Sequence, residues 1–224
     1  LGIDPSGAVF ATYLSENNRP MFAARAGDGS WSLTDLATYF PNAAYTGSLV
    51  SWTDKVSGDL FVAARANKGI IIFRRLEGGT WNPLNIVGRT AGSINIGSQL
   101  TVVADVAGYV TITGLSKFGD LLTWTQLTQS TAAGNPRFVF RNVTGRDLAQ
   151  AGIVVPDLSG SITAWTTPRN TLNVAAVGPS GEVRLFWKTP GQRWTGSNLS
   201  QQVGMTVAIA GNLTAFQTPG RGIT

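Results

Sequence analysis

The chain contains no cysteine and no histidine among its 224 residues. Without cysteine there is no disulfide framework, no thiolate nucleophile and no Cys-ligated metal or cluster. A chain of this length buries roughly 70% of its unfolded surface, so it needs no such staples. The absence of histidine removes the usual neutral-pH general base, the commonest transition-metal ligand and every His-containing triad. Calcium loops of the EF-hand type, P-loops and dinucleotide fingerprints are also missing. No metal and no cofactor are therefore expected, and few enzyme classes remain.

Charge is scarce as well. Only 13% of residues are charged, and the net charge of +5 arises from 17 basic and 12 acidic residues scattered singly. Arg74 and Arg75 are the nearest approach to a basic cluster, whereas nucleic-acid binding leaves a Lys/Arg stripe; no nucleic-acid partner is expected. No run approaches the 18 apolar residues of a membrane span, since Gly or Thr interrupts the longest ones. The chain opens at Leu1 with no charged segment leading into an apolar one, which reads as a processed or excised piece.

What is abundant is glycine, with 27 copies, and Ser, Thr and Asn between short apolar runs, the profile of a turn-rich β protein. Self-similarity along the chain is the stronger signal. Gly7, Gly47, Gly108, Gly160 and Gly211 are each followed two residues later by Val9, Leu49, Val110, Ile162 and Leu213. The fifth position after each glycine carries Thr12, Trp52, Thr113, Trp165 and Phe216. Such alternation marks half-buried strands. Asp4, Asp105 and Asp157 stand three residues before three of these glycines, with Ala44 and Ala208 at that place in the other two. Asp opening a turn and Gly supplying positive φ is hairpin chemistry.

A second likeness joins 20–25 (PMFAAR), 60–65 (LFVAAR) and 172–177 (LNVAAV), each running on to a Gly turn at Gly29, Gly69 and Gly181. Two units continue through a further strand to Trp81 and Trp194. The marker glycines are spaced by 40, 61, 52 and 51 residues, about the length of four short strands with turns, and four strands make one propeller blade. The central unit is least regular, because 121–124 and 137–140 serve as its outer strands only across a long Gln/Ser/Thr/Ala/Gly link.

These "VAAR" strands, Gly turns and unit-ending Trp residues resemble the β-propeller repeats of bacterial and fungal lectins, broadly the tectonin-like group. The resemblance spans nearly the whole chain and implies an all-β fold: a single domain over 1–224, a β-propeller of four to five blades, each blade four-stranded and antiparallel. The fifth unit offers one hairpin, Met205 to Gly220, before the chain stops at Thr224. Either the ring closes with strands from the other terminus, or the chain is part of a longer array.

Candidate sites follow from the repeat. Trp52 and Trp165 lead the seven tryptophans as ligand-stacking positions, against the alternative that most tryptophans pack between blades. Arg25 and Arg65 follow Ala-Ala in two units and are suited to hold a carboxylate or phosphate; the alternative is a solvated strand end, and Val177 takes the place in the third copy. Asp4, Asp105 and Asp157 supply the residue type a glycosidase pair needs, but recurrence at turns assigns them to the turns. The segment Gly27 to Trp31 is similar to an Asp-box, itself a structural turn, and Asn142, Asn198 and Asn212 open glycosylation sequons. The expected function is non-catalytic recognition of carbohydrate or another extracellular polymer at loops or inter-blade clefts, in a secreted or surface setting. The rivals are a protein-interaction platform within a larger polypeptide and, below it, a polysaccharide-cleaving enzyme.

Overall fold

The computed structural model of the chain describes residues 1–4, 7–67, 69–76, 79–85, 96–128, 135–205, 208–209 and 211–215. Phe216, the end of the fifth hairpin at Gly220 and most of the Gln/Ser/Thr/Ala/Gly link lie outside them. The described residues form sixteen strands in four antiparallel four-stranded sheets, each a simple meander in chain order. Sheet 1 holds β1 (Gly2–Ile3), β2 (Val9–Leu14), β3 (Pro20–Arg25) and β4 (Trp31–Asp35). Sheet 2 holds β5 (Tyr45–Thr53), β6 (Leu60–Ala66), β7 (Gly69–Arg75) and β8 (Trp81–Asn85). Sheet 3 holds β9 (Thr101–Ala104), β10 (Val110–Leu115), β11 (Leu121–Thr128) and β12 (Arg137–Asn142). Sheet 4 holds β13 (Ile162–Thr166), β14 (Leu172–Val177), β15 (Val183–Lys188) and β16 (Thr195–Asn198).

Successive sheets pack face to face, as blades do in the β-propeller that the chain forms. Phe10 and Phe22 of sheet 1 share a core with Leu60, Val62, Ala64 and Phe73 of sheet 2. Phe61, Ala63, Ile70 and Ile72, on the opposite face of sheet 2, meet Val110, Ile112, Leu122 and Trp124 of sheet 3. The third core joins Leu115, Leu121, Val143 and Leu148 to Val174, Ala176 and Phe186 of sheet 4. Strands β6 and β10 are buried nearly throughout, which explains runs such as Leu60–Ala66 that do not alternate: a strand covered on both faces has no polar side. Short helical turns leave β4, β12 and β16, capped by Asp35, Asn142 and Asn198 accepting from Ala37, Gly145 and Gln201 N–H. Two sequon asparagines are thus helix caps.

Hydrogen bonds set the register of the repeat. In the turn between the first and second strands, Asp4 Oδ1 accepts from Ala8 N–H and Asp105 Oδ1 from Tyr109 N–H. Asp54 fills this place in sheet 2 and Thr167 in sheet 4, with Asn170 at φ 63° standing where Gly7, Gly58 and Gly108 stand. The expected five-fold alignment of glycines is therefore corrected. Gly7 and Gly108 lie in this turn, whereas Gly47 sits in the bulge of a first strand and Gly160 precedes one. Asp157, Ala44 and Ala208 are consequently not counterparts of Asp4. The Ala-Ala likeness slips too: 60–65 and 172–177 fall on second strands, but 20–25 is a third strand.

The later units are also fastened to their predecessors. Leu158 N–H donates to Gly119 O in the turn between β10 and β11, while Ser159 N–H donates to Val177 O of its own sheet. Ile209 N–H repeats the first of these bonds on Gly181 O, in the corresponding turn of sheet 4. Leu213 N–H then donates to Ser161 Oγ, as Leu100 N–H does to Ser48 Oγ. The segment around Ile209–Leu213 thus begins a fifth unit in the manner of the others.

Candidate functional site

Register defines one row of paired residues across each sheet near the first turn. It reads Gly2–Phe10–Ala24–Ser32 in sheet 1, Trp52–Phe61–Arg74–Asn82 in sheet 2, Val103–Thr111–Thr125–Val139 in sheet 3 and Trp165–Asn173–Trp187–Thr195 in sheet 4. The next residue inward on the third strand, facing the same way, is Phe22, Ile72 and Thr123 in sheets 1 to 3. Each row meets the following sheet at a set of corresponding positions: Leu60, Arg75 and Trp81 of sheet 2, and Leu172, Lys188 and Trp194 of sheet 4. Three clefts can therefore be compared place by place.

Between sheets 1 and 2 the place is full. Phe22 lies 5.7 Å from Phe10 and meets Trp81 edge-on at 4.9 Å. Arg75 sits over the Phe22 ring at 5.2 Å and within 3.8 Å of Asp4. Between sheets 2 and 3, Trp52 stacks on Phe61 with centroids 5.2 Å apart, and the buried Arg74 pairs with Asp59 at 2.6 Å. Each buried aromatic there contributes about 1.5–3 kcal/mol.

Between sheets 3 and 4 these aromatics are gone. Val103, Thr111, Thr123 and Thr125 replace them, and a cleft of about 220 Å³ opens. Its far wall is Thr166, Leu172, Lys188, Pro190 and Trp194, with Asp105, Tyr109, Arg141 and Asn170 around it. Thr111 and Thr125 hydroxyls lie 3.3 Å apart. Trp194 is buried, and among the described residues its indole N–H has no hydrogen-bond partner, as is true of the buried Thr113 hydroxyl of β10. An unmatched buried donor normally costs about 1–3 kcal/mol. Burial, reinforced by the Arg141 charge and opposed by Asp147, holds the Lys188 ammonium below its ordinary pKa. The result combines an apolar ring, several hydroxyls and two cations in one recess.

Two other hollows are less suited to a ligand. A cavity of about 670 Å³ lies where the lead-in segments cross, but glycine, serine and backbone make up most of its wall. The second is a shallow recess beside Gly7, Arg25 and Asp28. There Asp28 accepts from both Ser30 N–H and Ser30 Oγ, which lowers its pKa; the resemblance to an Asp-box thus resides in a turn.

The four residues singled out from sequence are not brought together, and none lines the cleft between sheets 3 and 4. Trp52 and Trp165 do occupy corresponding positions, each half-buried at the end of a first strand. Arg25 and Arg65 do not correspond. Arg65 lies on a second strand and is tied to Thr46 and to Ser98 O at 2.9 Å, whereas Arg25 ends a third strand opposite Trp31, as Arg75 does opposite Trp81. The cleft residues were missed because the glycine alignment hid this column. Arg25, Arg75 and Lys188 each precede a tryptophan by six residues, and that spacing would have revealed it.

Comparison with solved structures supports the propeller. A mutant of the lectin from Aleuria aurantia, in complex with Fucα1-6GlcNAc, superimposes with a TM-score of 0.52 at 13% identity over 87% of this chain and 60% of that one. Another structure of the same lectin, a six-bladed β-propeller with a novel fucose recognition mode, gives 0.51 at 11% identity over 83% of this chain and 57% of that one. AofleA from Arthrobotrys oligospora gives 0.47 at 18% identity, over 69% of this chain and 42% of that one. This chain thus spans 42–60% of the length of these neighbours. No family model matches the sequence, and no curated protein does either.

Proposed function

We propose that the chain is a non-catalytic carbohydrate-recognition module and that a sugar binds in the cleft between sheets 3 and 4. The observation that carries this reading is the contrast between corresponding places. Where sheet 1 presents Phe10 and Phe22, sheet 3 presents Thr111 and Thr123, and a recess results. A sugar has an apolar face and a rim of hydroxyls. Such a ligand is matched by a tryptophan wall with donors and acceptors around it. The lectin neighbours support the reading by analogy of fold alone.

The turn carboxylates are committed to backbone N–H groups, which favours recognition over hydrolysis. An extracellular setting belongs to the same reading. The test is a glycan array with the native chain and with Thr123→Phe, which copies Phe22 into the recess. Native binding that disappears in the variant supports the reading. An array on which the native chain binds nothing, or on which the variant binds equally well, overturns it.

A further inference from the structure

Corresponding positions in the first and third clefts carry a cation with opposite fates. Arg75 is neutralised: Asp4 lies 3.8 Å away and the Phe22 ring lies beneath it. Lys188, its counterpart, has neither. The counterpart of Asp4 is Asp105, whose Oδ1 accepts from Tyr109 N–H at 2.8 Å and whose Oδ2 accepts from Asn170 Nδ2 at 3.3 Å. Asn170 stands where other units have a turn glycine, and its side chain donates to the Asp105 carboxylate. Phe22 has become Thr123. The Lys188 ammonium is left half-buried, with no ion pair or hydrogen bond among the described residues and only a longer-range attraction to Asp147.

Its surroundings compensate the charge only in part. The titratable groups lining the cleft are Asp105, Tyr109, Arg141 and Lys188, with Asp147 beside them; of the two carboxylates, Asp105 is engaged by Tyr109 and Asn170 and Asp147 lies against Arg141. Arg141 has only a loose contact, 3.6 Å, with Asp147, and its side chain is half exposed. An unpaired ammonium in a partly dry recess is stabilised by an incoming anion more than by a neutral hydroxyl, since charge-assisted hydrogen bonds are about twice as strong as neutral ones. The guanidinium of Arg141 is shaped for a planar carboxylate.

We infer that the cleft between sheets 3 and 4 selects a sugar that carries a carboxylate, a hexuronate residue, with the carboxylate on Lys188 and Arg141 and the ring against Trp194 and the threonines. This inference rests on the carbohydrate reading above and specifies its ligand class. The recess of about 220 Å³ has room for a single ring, so the residue recognised is a terminal or protruding one.

The experiment is calorimetry on the purified chain with methyl glucuronide, methyl glucoside and acetate. The glucuronide is expected to bind at least ten times more tightly than the glucoside, and Lys188→Met to reduce that ratio to about one. Lys188→Arg is expected to retain the preference, and circular dichroism checks that both variants fold. Glucoside binding equal to glucuronide binding, or a preference unchanged in Lys188→Met, overturns the acidic-sugar inference and leaves carbohydrate recognition standing. Acetate binding as tight as glucuronide shows an adventitious anion only and overturns it too. If neither sugar binds and the glycan array is also blank, both readings fall together.

Discussion

Replacing Thr123 by phenylalanine asks whether the third cleft is an emptied copy of the first. Phe22, the counterpart, is 2% exposed and contacts Trp81 edge-on at 4.9 Å beneath Arg75. A ring at position 123 should sit beside Trp194 and beneath Lys188. Burying it gains about 1.5–3 kcal/mol, the edge-on contact about 0.5–1.5 kcal/mol and the cation over its face about 0.5–1 kcal/mol. Against this stands the strain of inserting a larger side chain, about 1–3 kcal/mol. Thr123 is already 1% exposed, so no hydration is lost in the exchange. The balance centres on a gain of about 2 kcal/mol, equivalent to a rise in Tm of about 4–8 °C for a chain of this size. Urea and thermal melts of the two proteins measure it, and the glycan array reads binding in parallel. A loss of more than about 2 kcal/mol would mean that the recess is not free space of the Phe22 shape, and the comparison of clefts would fail.

Three further outcomes test the architecture. Tyr45 is buried, its hydroxyl donates to Phe40 O at 3.1 Å, and burial, with Asp35 nearby, raises its pKa from 10.0 to about 12. Because the folded value is the higher one, the associated stability is complete below pH 10 and is lost as pH climbs toward 12; urea melts across that window should show the decline, and Tyr45→Phe should flatten it. Gly119→Ala places a Cβ 2.5 Å from Leu158 N at φ +84°, whereas Gly7→Ala meets nothing within 4 Å at φ +85°; the first should lose at least about 2 kcal/mol and the second only the left-handed penalty of about 1–2 kcal/mol. Trp52→Ala removes the stack on Phe61 and should lower stability by about 2 kcal/mol, less than for a fully buried Trp, with sugar binding intact; lost binding at unchanged stability would instead put a ligand on Trp52.

The strands and their grouping in fours could be read from alternation and turn residues, because hairpins are local. Rank within a sheet could not be read from strand composition. An Ala-Ala-Arg strand reports close packing on both faces, and second strands and third strands share that condition, so 20–25 looked like 60–65. The turn acceptor was the better guide: Asp4, Asp54, Asp105 and Thr167 perform one hydrogen-bonding task. The glycine marker hides it, because in sheet 4 Asn170 takes the positive-φ place. The six-residue spacing from Lys188 to Trp194 marks one wall of the cleft, but not what that wall faces. The cleft is defined by what faces Thr123 across a sheet boundary, and Lys188 and Trp194 lie more than sixty residues away along the chain.

The bonds from Leu158 to Gly119 and from Ile209 to Gly181 mean that the lead-in of a later blade is anchored on the blade behind it, upstream of any hairpin of its own. Coupling in such an array runs mainly between immediate neighbours. A chain cut after Gly204 would forfeit the clasp on Gly181, so the earliest sign of damage should be fraying at the β14–β15 corner, while the first cleft, two boundaries away, keeps its protection against hydrogen exchange.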